Sequence, residues 1–378
     1  MSIDFGKILI FDGSMYLHRS LKIDEVRLLS TSRGEKVGGV FNVLRSLEKE
    51  MRKHPGYFPI FTWDSGLSPR RLELYPNYKR AMDKKIEADN VSAGIIEEDL
   101  EGKEYLADYV NQRAILMDVL SVLGVPSLRY RNVEGDDLMY LLSKLSSDSI
   151  VSTDDKDLIQ LLSPNTIISR TMQDQVIKYD EYQAEHNDPD MIKFKITKAI
   201  VGDPSDNIPK VAEGLGGKGA EKIADIIYNN KDNWRELLEE IGLKSARVKE
   251  TVKLLGEDWK TQEWKDHFYT PHVDKEGKPI IDKRKGKQKV SVLPPELGFL
   301  ENYEQFRINY DLTDLTQVEF DDEFINDVSF KIVQGIRVPD YFKFMNKVAQ
   351  YEFKKLDSQG IVSRMTTAVN NYKNAHGI

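Results

Sequence analysis

The sequence predicts an α/β fold: a central, mostly parallel sheet with helices on both faces, then a helical segment and a C-terminal extension. Three observations predict it. Short apolar runs alternate with helix-periodic stretches through the first half of the chain. Those runs end in acidic residues, where ligands sit in open α/β sheets. Beyond about residue 185 only helical spacing remains.

The elements follow in order. Residues 7–12 form an apolar run that turns at Asp12-Gly13-Ser14, a buried first strand. Val40, Leu44, Leu47 and Met51 recur at helical spacing between Gly38 and Lys53. Residues 57–64 read as a second strand ending at Phe61-Thr62-Trp63-Asp64. Leu106, Val110, Leu116, Val119, Leu120 and Leu123 mark another helix, followed by a strand near 125–130 and a helix starting at Glu134. Residues 149–152 form a third buried strand that stops at Asp154-Asp155. From Val201 to Ile227 the punctuation is helix, Gly-rich turn, helix, with Gly214, Gly216, Gly217 and Gly219 crowded together. The expected division is an α/β core over 1–185, a helical subdomain over 186–250, a basic insertion or mobile loop over 251–300, and a mainly helical region over 301–378 in which Val348 to Leu356 is amphipathic.

Composition narrows the chemistry. The 378 residues are 31 % charged and 40 % hydrophobic, the balance of a globular protein with a sizeable core. With no cysteine, disulfides, thiolate catalysis and zinc–cysteine sites are excluded, and a reducing, cytoplasmic setting is expected. No leader or membrane span is expected from the N-terminus or from any apolar run. A net charge of −8 speaks against nucleic acid only superficially, because a carboxylate-rich metal site adds negative charge of its own. Two concentrated basic runs, Lys79-Arg80 with Lys84-Lys85 and Lys283-Arg284-Lys285 onward, are either solvated loops or phosphate contacts.

Eight acids carry the functional signal: Asp12, Asp64, Glu134, Asp136, Asp155, Asp157, Asp203 and Asp206. Mutual repulsion makes such a set costly unless hard divalent cations neutralise it, and a pair of Mg²⁺ ions implies phosphoryl chemistry. Blander readings exist for each part. Glu134, Asp136 and Asp137 could simply complement a helix dipole, Asp155 or Asp157 could be a cap, and the Gly-rich turn could be a helix C-cap. Asp203 and Asp206, three apart, are expected on one face of a helical turn.

Phe11-Asp12-Gly13-Ser14, Phe61–Asp64, Glu134–Asp137, Thr153–Leu158 and above all residues 201–209, Val-Gly-Asp-Pro-Ser-Asp-Asn-Ile-Pro, resemble the structure-specific 5′-nuclease family. That family includes bacteriophage 5′-exonucleases, some called ribonuclease H, the 5′-nuclease domain of bacterial DNA polymerase I, and flap endonucleases. The resemblance runs in order over about residues 5–230, and residues 309–315 look like the family's late segment. It implies a PIN-like core with an arch or clamp over 65–110, a helix–turn–helix that binds duplex, and two Mg²⁺ ions for which Mn²⁺ substitutes. It implies Asp12, Asp64, Glu134 and Asp136 for the first ion, with Asp137 close by, and Asp155, Asp157, Asp203 and Asp206 for the second. Tyr78 would stack on a base and Lys79 would stabilise developing phosphate charge. The family's arginine three residues after that lysine is Met82 here, with Arg80 and Lys84 nearby. Gly214, Gly216, Gly217, Lys218 and Gly219 would cradle duplex phosphates, with K⁺ as a further ion at the helix–turn–helix. The implied substrates are flapped, forked or nicked duplex DNA and RNA–DNA hybrid, cut by a monomer during primer removal, with a single-strand-binding protein or clamp as a candidate partner. The rivals are an unrelated phosphohydrolase using Asp12, and a catalytically silent DNA-junction binder.

Overall fold

The computed structural model describes residues 3–79, 100–245, 248–262, 264, 268, 278–279 and 293–377. The chain divides into two compact units: residues 1–73, 81–190 and 315–378 form one, and residues 74–80 and 191–314 the other.

The first unit is built on six strands in the order β3-β2-β1-β4-β5-β6. β1 (Lys7–Asp12) feeds helix α1 (Gly13–Leu21), and α2 (Gly38–Lys53) leads to β2 (Phe58–Trp63). The long α3 (Leu100–Leu123) precedes β3 (Ser127–Arg129), and α4 (Gly135–Lys144) precedes β4 (Asp148–Ser152). β5 (Thr166–Arg170) continues the parallel set, and only β6 (Gln175–Ile177) runs antiparallel. β1 and β2 are apolar because helices cover both faces: Ile8, Leu9, Ile10, Phe11, Phe58, Ile60 and Phe61 are all fully buried. The chain leaves β1 towards β2 and β3, then returns to the other side of β1 as β4. This reversal opens a crevice beyond the carboxyl ends of β1 and β4, where such sheets bind ligands.

The second unit is helical. α5 (Ile192–Val201), α6 (Gly217–Asn229), α7 (Trp234–Lys244), α8 (Pro295–Glu301) and α9 (Tyr303–Thr313) pack Ile196, Ile200, Leu215, Ile223, Leu238, Phe299 and Phe306 into one core. α10 (Asp322–Gly335), α11 (Tyr341–Gln350) and α12 (Ser358–His376) belong to the sheet unit.

Four expectations need correction. Residues 203 and 206 do not share a helical turn: α5 stops at Val201, and an antiparallel bridge between Asp203 and Ile208 closes a loop. The 251–300 segment is not all loop, since Trp259, Trp264, Phe268, Leu293 and Leu297 form a small apolar core with Val248. The 301–378 region is divided between the two units rather than standing apart. Its amphipathic helix ends at Gln350, not Leu356.

Candidate active site

Asp12 ends β1 and caps α1, its Oδ1 accepting from the Met15 backbone N–H at 2.9 Å. Its other oxygen accepts from the Thr153 hydroxyl at 3.2 Å, which ties the ends of β1 and β4 together. The same hydroxyl accepts from the Asp155 N–H at 3.1 Å, and Asp155 in turn accepts from the Asp157 N–H at 2.8 Å. Beyond β2, Asp64 accepts from the Gly135 N–H at 2.7 Å, and its own N–H donates to the Ser14 hydroxyl at 3.0 Å. Three carboxylates thus stand at the carboxyl edges of three adjacent strands.

Burial, together with the negative charges of Asp64 and Asp155, pushes the Asp12 carboxyl up to about 7 against the opposing Met15 and Thr153 hydrogen bonds. A buried acid facing two others is an anionic pocket that a hard cation would relieve. Among the described residues, no three acidic or histidine side chains already converge at metal-holding distance. The donor set nevertheless fits such an ion in charge and in oxygen chemistry.

Two further acids of the α4 start sit differently. Glu134, the N-cap residue of α4, is 4 % exposed and accepts from the Ser68 N–H at 3.3 Å, with Arg71 Nη1 at 3.2 Å. Asp137 faces the same guanidinium with both oxygens, at 2.7 and 2.9 Å. Asp137 is therefore held by the same buried arginine that meets Glu134, which is compatible with its expected supporting place beside the first metal. Asp136 lies in the first turn of α4 and Asp157 at the start of the short helical turn after β4.

In the second unit, Asp203 accepts from Lys198 Nζ at 2.7 Å and from the Ser205 N–H at 2.8 Å. Burial raises its carboxyl, but the Lys198 and Ser205 hydrogen bonds outweigh that and hold it below the usual range. Asp206 faces Lys79 Nζ at 3.7 Å and accepts from the Tyr78 hydroxyl at 3.4 Å. The Lys79 N–H donates to the Asp206 carbonyl at 2.9 Å, holding Lys79 at a φ of 51°. Tyr78 is 3 % exposed, with the Lys79 ammonium 5.2 Å from its ring centroid. A ring so covered is not displayed to a base, so the stacking role expected for Tyr78 is not a property of this conformation.

Gly214 takes a φ of 82° in the turn before α6, whose N-cap is Gly216 with no capping side chain. Gly217, Lys218 and Gly219 form the first turn, in which the Gly219 N–H already donates to the Gly216 carbonyl at 2.9 Å; helix N-termini of this kind favour anions. Arg80, Lys84, Lys85, Lys283, Arg284 and Lys285 lie outside the described residues. Sequence reasoning missed Arg71, Thr153, Ser14 and Lys198.

The fold is that of a PIN-like α/β domain with a carboxylate-lined edge. Residues 7–187 match the family model described as the 5′-3′ exonuclease, N-terminal resolvase-like domain. It is 27 % identical to a 5′-3′ exonuclease of Aquifex aeolicus over 61 % of this chain and 74 % of that protein. It is 29 % identical to DNA polymerase I of Caldicellulosiruptor bescii over 75 % of this chain but 34 % of the polymerase, so it spans about a third of that relative. A crystal structure of the bacteriophage T5 flap endonuclease, in a complex with DNA and metal ions, shares the fold at a TM-score of 0.50 and 20 % identity, covering 95 % of this chain and 98 % of that one.

Proposed function

We propose that the chain is a Mg²⁺-dependent 5′-nuclease that hydrolyses phosphodiester bonds of flapped, forked or nicked duplex DNA and of RNA–DNA hybrids, leaving 5′-phosphate products. The observation that carries this reading is Asp12, raised to about 7 by burial and by Asp64 and Asp155 at the sheet's carboxyl edge.

Asp12, Asp64, Glu134 and Asp136 would hold the first ion and Asp155 and Asp157 the second. The further assignment of Asp203 and Asp206 to the second set rests on their motif. A divalent cation held by such carboxylates supplies Lewis acidity towards a phosphodiester oxygen and makes water nucleophilic at neutral pH. Thr153 and the Gly135 N–H fix the carboxylates of Asp12 and Asp64, so their orientation is set before substrate arrives. Arg71 neutralises Asp137 and steadies Glu134, which limits the negative charge that a phosphate must approach. Lys79 places a cation beside Asp206 and supplies electrostatic help to the scissile phosphate. The α6 start and Lys218 take duplex phosphates through backbone N–H groups and charge, without reading bases. The arch lysines, Lys84 and Lys85, with Arg80 and the Lys283–Lys285 run, add further phosphate contacts.

The test is a 5′-labelled forked duplex incubated with Mg²⁺, with EDTA, and alongside small phosphate esters. Short products with a 5′-phosphate, formed only with the cation and only from the nucleic acid, support the reading. Tight binding without cutting in Mg²⁺ or Mn²⁺ overturns it in favour of a silent junction binder.

A further inference from the structure

The loop that carries Asp203 and Asp206 leaves a helix end and returns to it, and one buried side chain grips both ends. α5 stops at Val201 and is capped by Gly202, whose φ is 70° and whose N–H still bonds the Lys198 carbonyl. A Cβ there would lie 2.5 Å from the Pro209 carbonyl oxygen, so the two ends of the loop touch backbone to backbone. Between them Asp203 and Ile208 exchange hydrogen bonds of 2.9 and 2.7 Å.

Asn309, on α9, is fully buried at the base of this loop. Its Nδ2 donates to the Ala199 carbonyl at 2.9 Å and to the Pro209 carbonyl at 2.7 Å. Its Oδ1 accepts from Gln305 Nε2 at 2.9 Å, one turn earlier on α9, which orients the amide. The Ala199 carbonyl belongs to the last turn of α5, where acceptors lack intrahelical partners. Both donors of one amide are thus spent on the two strands of chain that enter and leave the loop.

The loop's far end is equally engaged. Asn207 Nδ2 donates to the Asn77 carbonyl at 2.7 Å, and the Asp206 carbonyl accepts from the Lys79 N–H at 2.9 Å. The loop is therefore the seat of the lysine as well as the bearer of two acids. Buried amides with fully satisfied hydrogen bonds specify one backbone arrangement, and removing their donors leaves the facing carbonyls unpaired.

We propose that Asn309 is a positioning residue for the reaction: by clasping the Ala199 and Pro209 carbonyls it sets the register of the loop that orients Asp203, Asp206 and Lys79. This rests on the nuclease reading above. It assigns a catalytic consequence to a residue that touches neither substrate nor any acid.

The experiment uses the full chain with Asn309→Asp, which keeps the shape but turns both donors into an acceptor facing two carbonyls. Asn309→Ser is the second variant, and Leu238→Ala serves as a control that weakens the core of the same unit without touching the loop. Single-turnover cleavage of a forked duplex, the Mg²⁺ and Mn²⁺ concentrations giving half-maximal rate, duplex affinity in Ca²⁺, and thermal unfolding are measured for each. For both Asn309 variants the expected result is a cleavage rate lower by about 10²-fold. A rise in the half-saturating metal concentration accompanies it, with duplex affinity within about threefold and cooperative unfolding retained. Leu238→Ala is expected to lose a similar amount of stability with an unshifted metal dependence. Asn309 variants that cut at the parent rate with unshifted metal dependence overturn the inference, as does a Leu238→Ala rate and metal profile matching theirs. A parent chain that never cuts in either metal refutes the nuclease reading instead.

Discussion

The most consequential residue is Asp12, whose acid has two faces: the proposed ligand of a cation and a liability without one. Its folded-state value near 7, set by burial and by Asp64 and Asp155, exceeds the unfolded value of about 4. Below about pH 4 both states are protonated and its contribution to stability is intact. As pH rises towards 7 the unfolded chain ionises first, and that contribution is lost. Metal-free protein is therefore expected to lose stability between about pH 4 and 7. Asp12→Asn should flatten that slope, raise the metal-free unfolding midpoint at pH 8 and abolish cleavage; a midpoint that falls at pH 8 contradicts the buried-repulsion account. Asp137 makes the contrast. Its two bonds to Arg71 mean that Asp137→Asn should cost about 3 kcal/mol of stability by leaving a buried guanidinium underpaired. Its cleavage rate at saturating Mg²⁺ should fall far less than that of Asp12→Asn, a comparison that urea titration and single-turnover kinetics make together. The strand-end acids were legible because a run of apolar residues stopping at Asp has few other readings. Arg71 was not, since nothing in a short helix says that its basic residue points inwards.

At the scale of elements, legibility followed the strength of the period. The Gly38–Lys53 helix and the Lys7–Asp12 strand were readable to the residue, because 3.6-residue spacing and an unbroken apolar run are strong signals. β5 and β6 were missed: Thr166–Arg170 mixes polar with apolar positions, and Gln175–Ile177 is three residues long at the sheet's margin. The Asp203–Asp206 stretch misled because a spacing of three suggests a helical face, whereas Gly202 at positive φ had already ended the helix. The Gly-rich start of α6 poses the reverse question, why glycine is there at all. An added Cβ at Gly216 or Gly217 meets nothing within 4 Å, and neither residue is among those with positive φ. Gly216 suits its N-cap position, and at Gly217 neither steric room nor backbone strain within the chain calls for glycine, which is compatible with the proposed close approach of a phosphate. Gly217→Ala is accordingly expected to raise stability by up to about 1 kcal/mol, through helix propensity. The same variant should weaken duplex binding several-fold, and Lys218→Ala should lower the slope of log affinity against log salt by about 1. A Gly217→Ala protein that binds duplex as tightly as the parent, by fluorescence anisotropy over a salt series, sinks this role for the α6 start.

At the scale of the whole molecule, the last sixty or so residues change the meaning of a truncation. A helical period does not say which surface a helix covers, so 301–378 read only as a mainly helical region and a candidate docking segment for a replication partner. In the structure Ile361, Met365, Val369 and Tyr372 of α12 are buried, with the Tyr372 ring 5.0 Å from that of Phe58 on β2. The same helix reaches the chain start, where Asp4 and His376 meet through the Asp4 carbonyl at 3.1 Å. Burying each such large side chain contributes about 1.5–3 kcal/mol. Four of them approach the whole net stability of a typical domain, about 5–15 kcal/mol. Deleting residues 315–378 is therefore expected to abolish the cooperative urea transition of the sheet unit, followed by far-UV circular dichroism, and activity would vanish with it whatever partners exist. A truncated chain that unfolds cooperatively at the parent midpoint would show that α12 is dispensable to the sheet. Partner docking is better probed at Phe342, which is 79 % exposed on α11. Phe342→Ser should move the unfolding free energy by no more than about 0.5 kcal/mol. Any loss of partner stimulation in that variant then reports a surface contact, because the core beneath it is unchanged.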